Sequence, residues 1–240
     1  MTPIVFAGPS LHGIASERLA GIDLRPPAGK GDLLAAVQAG GQAIGVIDGS
    51  FEYGASVWHK EILFALRRGV AVFGAASMGA LRAAECAAFG MVGIGRVFAD
   101  YEAGRRRSDG DVAMVHAPAA LGYKPLTEAL VDMDETLARL LATAKIDADI
   151  AGRLGAAASA LHFKDRTWPQ VLAAAGIDGA AKDDLTALLR AHRVSIKTED
   201  ALALIDHMRA LPAARATPPA FDFNETLFFR EMMTASARRP

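Results

Sequence analysis

A serine between a strand-like run and a helix-like run is the residue of this chain best suited to covalent chemistry. The apolar run 70–73 passes through three small residues to Ser77, and a helix-like segment follows over 78–85. A residue at such a corner stands at the edge of a sheet, beside backbone N–H groups that can hold a developing oxyanion. We therefore predict that Ser77 is a nucleophile, with Met78 and Gly79 beside it for binding substrate or oxyanion.

A serine nucleophile needs a base, and His59 and Lys60 are adjacent candidates in the helix-like segment 57–63. Because Cα–Cβ bonds tilt toward the helix N-terminus, both side chains are expected to lean toward the sheet edge that carries Ser77. A lysine at that edge can act as the general base for a serine. The helical wheel slightly favours His59, whereas the long stem of Lys60 can reach around from the margin. The residues alone leave this choice open.

The same residues also have ordinary structural explanations. Ser77 can simply cap a helix, Lys60 can be a solvated surface lysine, and His59 a half-buried histidine. Arg82 and Glu85 stand three residues apart and can form an ion pair on one helix face. Because the helix around them is rich in alanine and otherwise apolar, both Arg82 and Glu85 are also candidates for the substrate site, with Arg82 available to hold a carboxylate.

The elements that must position these residues follow from three short apolar runs in the first third of the chain. The runs at 4–7, 43–47 and 70–73 are separated by segments of helical spacing, which predicts a parallel α/β sheet. The turns that follow parallel strands meet at the carboxyl edge of a sheet, where open α/β sheets bind ligands. The first two turns add four residues to the substrate or oxyanion site: Gly8, Ser10, Asp48 and Gly49.

The sequence pattern changes near residue 124, from apolar runs separated by helical segments to a series of helical segments. A fourth extended segment is predicted at 112–116, and a proline-rich linker at 211–219. Amphipathic helices are predicted at 125–144, 146–161, 179–192, 198–210 and 223–235. We therefore expect an α/β domain over residues 1–123, with a short, mostly parallel sheet and flanking helices, and an all-helical C-terminal region over residues 124–240.

Composition excludes several classes of function. With 26 basic and 27 acidic residues, the net charge of −1 provides no global attraction to nucleic acid or to anionic lipid. The longest apolar stretch is interrupted by Arg82 and Glu85, and the N-terminus lacks a basic signal, so we expect a cytoplasmic protein that does not enter the membrane. The single Cys86 excludes an intramolecular disulfide and a zinc site with several thiolates, and we expect no metal and no cofactor. A nucleotide-binding module is disfavoured because the segment 29–32 is too short for a phosphate loop.

Four ordered motifs resemble the TfuA-like family. They read VFAGPS at 5–10, IDGSF at 47–51, VWHKEIL at 57–63 and FGAASMGALRAAE at 73–85. The resemblance covers roughly the first 120 residues, and the helical C-terminal half is much less diagnostic.

This resemblance implies a role beside YcaO-type enzymes, which use ATP to activate a peptide-bond oxygen so that sulfur replaces it as a backbone thioamide. The implied partners are the YcaO-type enzyme, its peptide substrate, and a ThiS-type ubiquitin-like carrier that ends in a glycine thiocarboxylate. TfuA-like proteins are understood to hydrolyse the thiocarboxylate and release sulfide, an activity associated with a Ser-Lys pair. Carried onto this sequence, the pair is Ser77 and Lys60, with His59 kept as an auxiliary.

The alternative is a non-catalytic adaptor. In that hypothesis the groove formed by the three turns binds the YcaO-type enzyme, the sulfur carrier or the peptide, and Ser77 only caps a helix.

Overall fold

The computed structural model describes residues 2–52, 54–211, 217 and 220–236, so most of the predicted linker at 211–219 lies outside the described residues. The chain forms two compact units. One consists of Met1–Arg107 together with Thr198–Pro240, and the other of Ser108–Lys197. This division differs from the expected boundary between residues 123 and 124, because the last stretch of the chain belongs to the same unit as the first.

Five parallel strands form the sheet of the first unit, in the order β2-β1-β3-β4-β5. They are β1 (Ile4–Phe6), β2 (Asp23–Arg25), β3 (Ala43–Val46), β4 (Ala71–Ala75) and β5 (Val92–Ile94). The three central strands confirm the runs predicted from the sequence. The two edge strands were not predicted, because each has only three residues, β2 carries two charged side chains, and β5 contains a glycine.

Ten α-helices lie within the described residues. They are α1 (Asp32–Gln38), α2 (His59–Arg67), α3 (Met78–Cys86), α4 (Arg96–Glu102), α5 (Leu130–Ala142), α6 (Ala148–Ala160), α7 (Trp168–Ala174), α8 (Gly179–Ala191), α9 (Ile196–Arg209) and α10 (Leu227–Ser236). The five helices predicted in the C-terminal half are confirmed, within a few residues at their ends. Helix α1 lies in the segment of helical spacing expected between the runs 4–7 and 43–47. Helices α4 and α7 were not predicted individually, because seven residues are too few for a clear amphipathic repeat. None of the described helices is both long and apolar enough to cross a lipid bilayer.

The sheet of the first unit has helices on both faces. One face is covered by α1, α2 and α3, whose buried side chains include Leu33, Ile62 and Ala83. The other face packs against α9 through Leu204 and Ile205. Burial on both faces explains why the central strands are continuous apolar runs without alternation. This arrangement leaves the carboxyl edge of the strands for polar residues.

The second unit is helical. Its core lies among α5, α6, α7 and α8 and includes the fully buried Leu154, Leu172 and Leu189. The predicted extended segment at 112–116 is wrong: no strand forms within residues 108–197, and His116 makes a single antiparallel bridge with Pro125. No further backbone pairing extends this bridge into a ladder, so the apolar residues of the segment lie in irregular chain.

Candidate active site at the carboxyl edge of the sheet

A strained turn connects β4 to α3. The Ser77 N–H donates to the Ala75 carbonyl at 2.7 Å, and the residue between them, Ala76, has a φ of +66°. A hydrogen bond across a single residue with positive φ is the γ-turn that proteins rarely use. Such a conformation in a residue other than glycine costs on the order of 1–3 kcal/mol and is found most often at functional sites. The turn places Ser77 at the carboxyl edge of the sheet, as predicted.

Two glycines allow α3 to approach the strands without any intervening side chain. A Cβ atom at Gly79 would lie 1.7 Å from the Val46 carbonyl oxygen, and one at Gly74 would lie 2.0 Å from the Gly79 carbonyl oxygen. The Gly79 N–H also donates to the Ile47 carbonyl at 3.1 Å. The first turn of α3 is therefore held against the ends of β3 and β4, and its positive dipole end lies at the sheet edge.

The Ser77 side chain does not cap the helix that it precedes. Ser77 occupies the N-cap position of α3, but its hydroxyl makes no capping hydrogen bond. Within the described part of the chain its Oγ has no other hydrogen-bond partner, and the residue is 8% exposed. Helix capping thus does not account for this serine, and its hydroxyl is available to react.

Asp48 connects the turn after β1 to the turn after β3. Its Oδ2 accepts from the N–H groups of Gly8 at 2.9 Å and Ser10 at 3.0 Å. Its Oδ1 accepts from the Ser10 hydroxyl at 2.7 Å. The structure therefore brings these three predicted site residues together. Because their polar groups bond to one another, the cluster holds the two turns together at the sheet edge and offers few free donors to a ligand.

Met78 and Gly49 bring the turn after β3 up to the start of α3. A Cβ atom at Gly49 would lie 2.8 Å from the Met78 Cγ, so the methionine packs directly on the glycine backbone. All three predicted turns thus lie at one edge of the sheet.

The Arg82 guanidinium is engaged on every side. Its Nε donates to the Val57 carbonyl at 3.0 Å, its Nη2 to the Ser56 hydroxyl at 3.3 Å, and its Nη1 to Glu85 Oε2 at 2.6 Å. The predicted ion pair between Arg82 and Glu85 is therefore present. These contacts hold the loop before α2 against α3, so Arg82 acts as a structural tie and does not face Ser77.

His59 is directed toward Glu85 instead of Ser77. Its Nε2 lies 2.8 Å from Glu85 Oε2, and about half of its side chain is exposed. Glu85 follows Ser77 by two helical turns, which at 1.5 Å per residue is about 12 Å along α3. The expectation that both α2 side chains lean toward Ser77 is thus wrong for His59, because Glu85 holds the imidazole farther along α3.

Lys60 lies on the outer face of α2. Its Nζ donates to the carbonyl of Asn224 and lies 5.5 Å from the ring centroid of Phe223. Among the described residues, no hydrogen bond connects Lys60 with Ser77. The structure therefore does not bring the two members of the predicted pair together in this conformation.

Sequence reasoning missed Glu61, a fully buried carboxylate beside the candidate base. Its Oε2 accepts from the Gly31 N–H at 2.9 Å and the Leu34 N–H at 3.3 Å, and its Oε1 accepts from the Trp58 N–H at 3.2 Å. Burial raises the pKa of the Glu61 carboxyl above its usual value, although the backbone hydrogen bonds oppose the shift. The Glu61 carboxylate reaches back to the N–H of the N-cap residue Trp58, which is half of a capping box; the sequence signal is weak because a tryptophan cannot supply the cap oxygen of a Ser or Thr.

Most of this site lies in the part of the chain that matches a known protein family. A family model described as TfuA-like protein matches residues 48–167, which is 120 of the 240 residues. The match contains Asp48, Lys60 and Ser77, whereas Gly8 and Ser10 precede it. A search among curated proteins finds no significant match.

Proposed function

The chain belongs to the TfuA-like family, which is associated with YcaO-type peptide thioamidation, and from this premise we propose that it is a hydrolase that supplies sulfide to a YcaO partner. Its substrate in this proposal is a ThiS-type carrier with a C-terminal thiocarboxylate. One observation carries the proposal. Ser77 sits on a strained corner at the sheet edge, directly before a helix, and its hydroxyl caps nothing.

In the first step the Ser77 Oγ attacks the thiocarboxylate carbon. A C–O bond forms, the C–S bond breaks, and the serine proton passes to Lys60 and then to the departing sulfide. The product is an ester between Ser77 and the carrier. In the second step water attacks this ester, the carrier leaves as a carboxylate, and the Ser77 hydroxyl is restored.

We assign the oxyanion contact to the Met78 N–H. Gly8 was the other candidate, but its N–H donates to Asp48. The Gly79 N–H donates to the Ile47 carbonyl, which also removes it as a donor. A donor directly after the nucleophile is the usual solution at a corner between a strand and a helix.

The negative charge of a thiocarboxylate must also be compensated. Arg82 was the sequence-based candidate, but its guanidinium already contacts Val57, Ser56 and Glu85. The N-terminal end of α3 carries the positive end of the helix dipole and lies against the sheet edge. In this proposal the helix end, and not Arg82, favours binding of the anion.

The direct test is sulfide release from a thiocarboxylated ThiS-type carrier. We expect release by the wild type, loss of release in Ser77→Ala, and unchanged release in the control Ser159→Ala, which alters an exposed serine on α6. Thermal melting establishes that all three proteins are folded. Equal release by Ser77→Ala and wild type would refute the nucleophile, and no release by any of the three would refute the hydrolase.

The adaptor hypothesis is the second candidate, and the position of Lys60 favours it. Its amine contacts Asn224 and Phe223 instead of Ser77, as expected if Lys60 is only structural. Reconstituted thioamidation with free sulfide added separates the two hypotheses. A hydrolase variant lacking Ser77 is rescued by sulfide, whereas an adaptor is needed whether or not sulfide is supplied.

A further inference from the structure

The Lys60 side chain is held by a segment that lies more than 160 positions farther along the chain. Its ammonium donates to the main-chain carbonyl of Asn224 and lies over the ring of Phe223. Both residues belong to the irregular segment 221–226, which precedes α10 and which we call the latch. While these contacts persist, the amine is held on the outer face of α2, where it makes no hydrogen bond to Ser77 within the described residues.

Aromatic contacts anchor the latch to the first unit. Phe221 packs edge-on against Phe89, with ring centroids 5.4 Å apart. Phe223 packs against Phe229 at 5.2 Å and against Phe64 at 6.1 Å. Phe229 lies in the first turn of α10 and is fully buried. The latch is therefore a docked part of the unit.

The geometry of α2 explains why one segment can cover both Lys60 and the aromatic cluster. Lys60 and Phe64 are four residues apart, so they lie on the same helix face, one turn from each other. The latch and α10 cover this face, whereas Ile62 and Leu66 face the sheet. The contacts of Lys60 thus direct its amine to the outer layer and away from the sheet edge.

We propose that the latch is an autoinhibitory contact, which sequesters Lys60 and must release it before Ser77 can be activated. This inference rests on the proposed function, in which Lys60 is the base. Phe223 is the critical latch residue, because its ring contacts the Lys60 ammonium and also anchors the segment to Phe64 and Phe229.

The first test measures the accessibility of the Lys60 amine and does not depend on activity. The full-length protein is treated briefly with an amine-acylating reagent, and acylation of each lysine is quantified by mass spectrometry, with the exposed Lys145 as reference. We expect Phe223→Ala to raise the relative acylation rate of Lys60 at least threefold. Phe223→Tyr, which keeps an aromatic face, and Phe228→Ala, which alters a ring that is 71% exposed, should match the wild type.

The second measurement is sulfide release by the same proteins. We expect Phe223→Ala to release sulfide several-fold faster than wild type, with the two controls unchanged. An unchanged Lys60 acylation rate in a folded Phe223→Ala protein overturns the latch, even if the wild type releases sulfide. Faster acylation with slower sulfide release also overturns it, since the segment would then position Lys60 for catalysis. Faster acylation without sulfide release by any protein refutes the proposed hydrolase and leaves the sequestering contact established.

Discussion

The Ser10 hydroxyl donates a 2.7 Å hydrogen bond to Asp48 Oδ1, and both residues are almost completely buried. The other oxygen of Asp48 accepts the N–H groups of Gly8 and Ser10. One carboxylate therefore satisfies three donors at the edge where the nucleophile lies. This cluster fixes the turn after β1 against the turn after β3, although the bonded residues are 38 to 40 positions apart in the sequence.

Removing the Asp48 carboxylate should strongly destabilise the protein. Asp48→Ala leaves three buried donors without an acceptor, and each costs about 1–3 kcal/mol. We expect the free energy of unfolding to fall by about 3 kcal/mol or more, as measured by urea denaturation. Ser10→Ala removes only one of the three hydrogen bonds and should cost about 1.5 kcal/mol, the low end for a hydrogen bond to a charged group. Equal losses in the two variants would show that Asp48 does not organise the turns.

Gly79→Ala should destabilise the first unit by forcing α3 away from the strands. Its Cβ would lie 1.7 Å from the Val46 carbonyl oxygen, a backbone atom that cannot rotate away. We expect a loss of about 1–3 kcal/mol in the free energy of unfolding. Gly152→Ala is the control, because that glycine lies within α6 with nothing within 4 Å of its added Cβ. This control should gain about 0.5–1 kcal/mol, so the two substitutions should have opposite signs.

Lys60 and His59 should differ sharply in their importance for sulfide release. A general base typically contributes a factor of about 10²–10⁴, so Lys60→Ala should lower the rate at least about 100-fold. His59→Ala should stay within threefold of wild type, because Glu85 holds the imidazole far along α3. Steady-state rates of sulfide formation test both expectations. A larger loss in His59→Ala than in Lys60→Ala would reverse the assignment of the base.

Because of Asp132, the free energy of unfolding of the second unit should vary with pH in the mildly acidic range. Burial raises the pKa of this carboxyl from 3.8 to about 6, against the opposing effects of Lys197 and Ser195. Between pH 3.8 and about 6 the folded state holds a proton that the unfolded state has lost, so stability falls as pH rises through this range. The full effect is on the order of 3 kcal/mol.

Asp132→Asn tests the origin of this dependence. An asparagine can still accept from the Lys197 N–H and reach the Ser195 hydroxyl, but it does not titrate. Urea denaturation at pH 4 and pH 6 should show the decline in the wild type and not in the variant. An equal decline in both proteins would assign it to another group.

Cys86 should be chemically inert in the folded protein. Burial, assisted by Glu85, raises the pKa of its thiol to about 11, and the residue is 1% exposed. The thiolate is the reactive form, so alkylation by iodoacetamide at pH 8 should be negligible in native buffer and complete in urea. Mass spectrometry of the intact protein measures the difference. Rapid alkylation of the native protein would mean that α3 opens readily at its C-terminal end.

The sequence by itself determined the parallel sheet, the position of Ser77 at the end of β4, and the meeting of three turns at one edge. These features follow from local patterns: continuous apolar runs specify buried parallel strands, and small residues around Ser77 permit the sharp turn into α3. The edge strands β2 and β5 could not be predicted, because three residues are too few to show a strand pattern. These strands form by pairing with β1 and β4, respectively.

Only the tertiary structure decided what each polar side chain contacts. Lys60 meets Asn224, which is 164 residues away, and Arg82 meets Val57 and Ser56 on a different element. The helical spacing of α2 leaves several directions open to a long side chain, and the choice among them depends on which distant segment packs there. Glu61 shows the same principle, because its burial comes from α1 packing beside α2. Contacts of this kind have no local sequence signal, since their free energy arises only when the chain has folded.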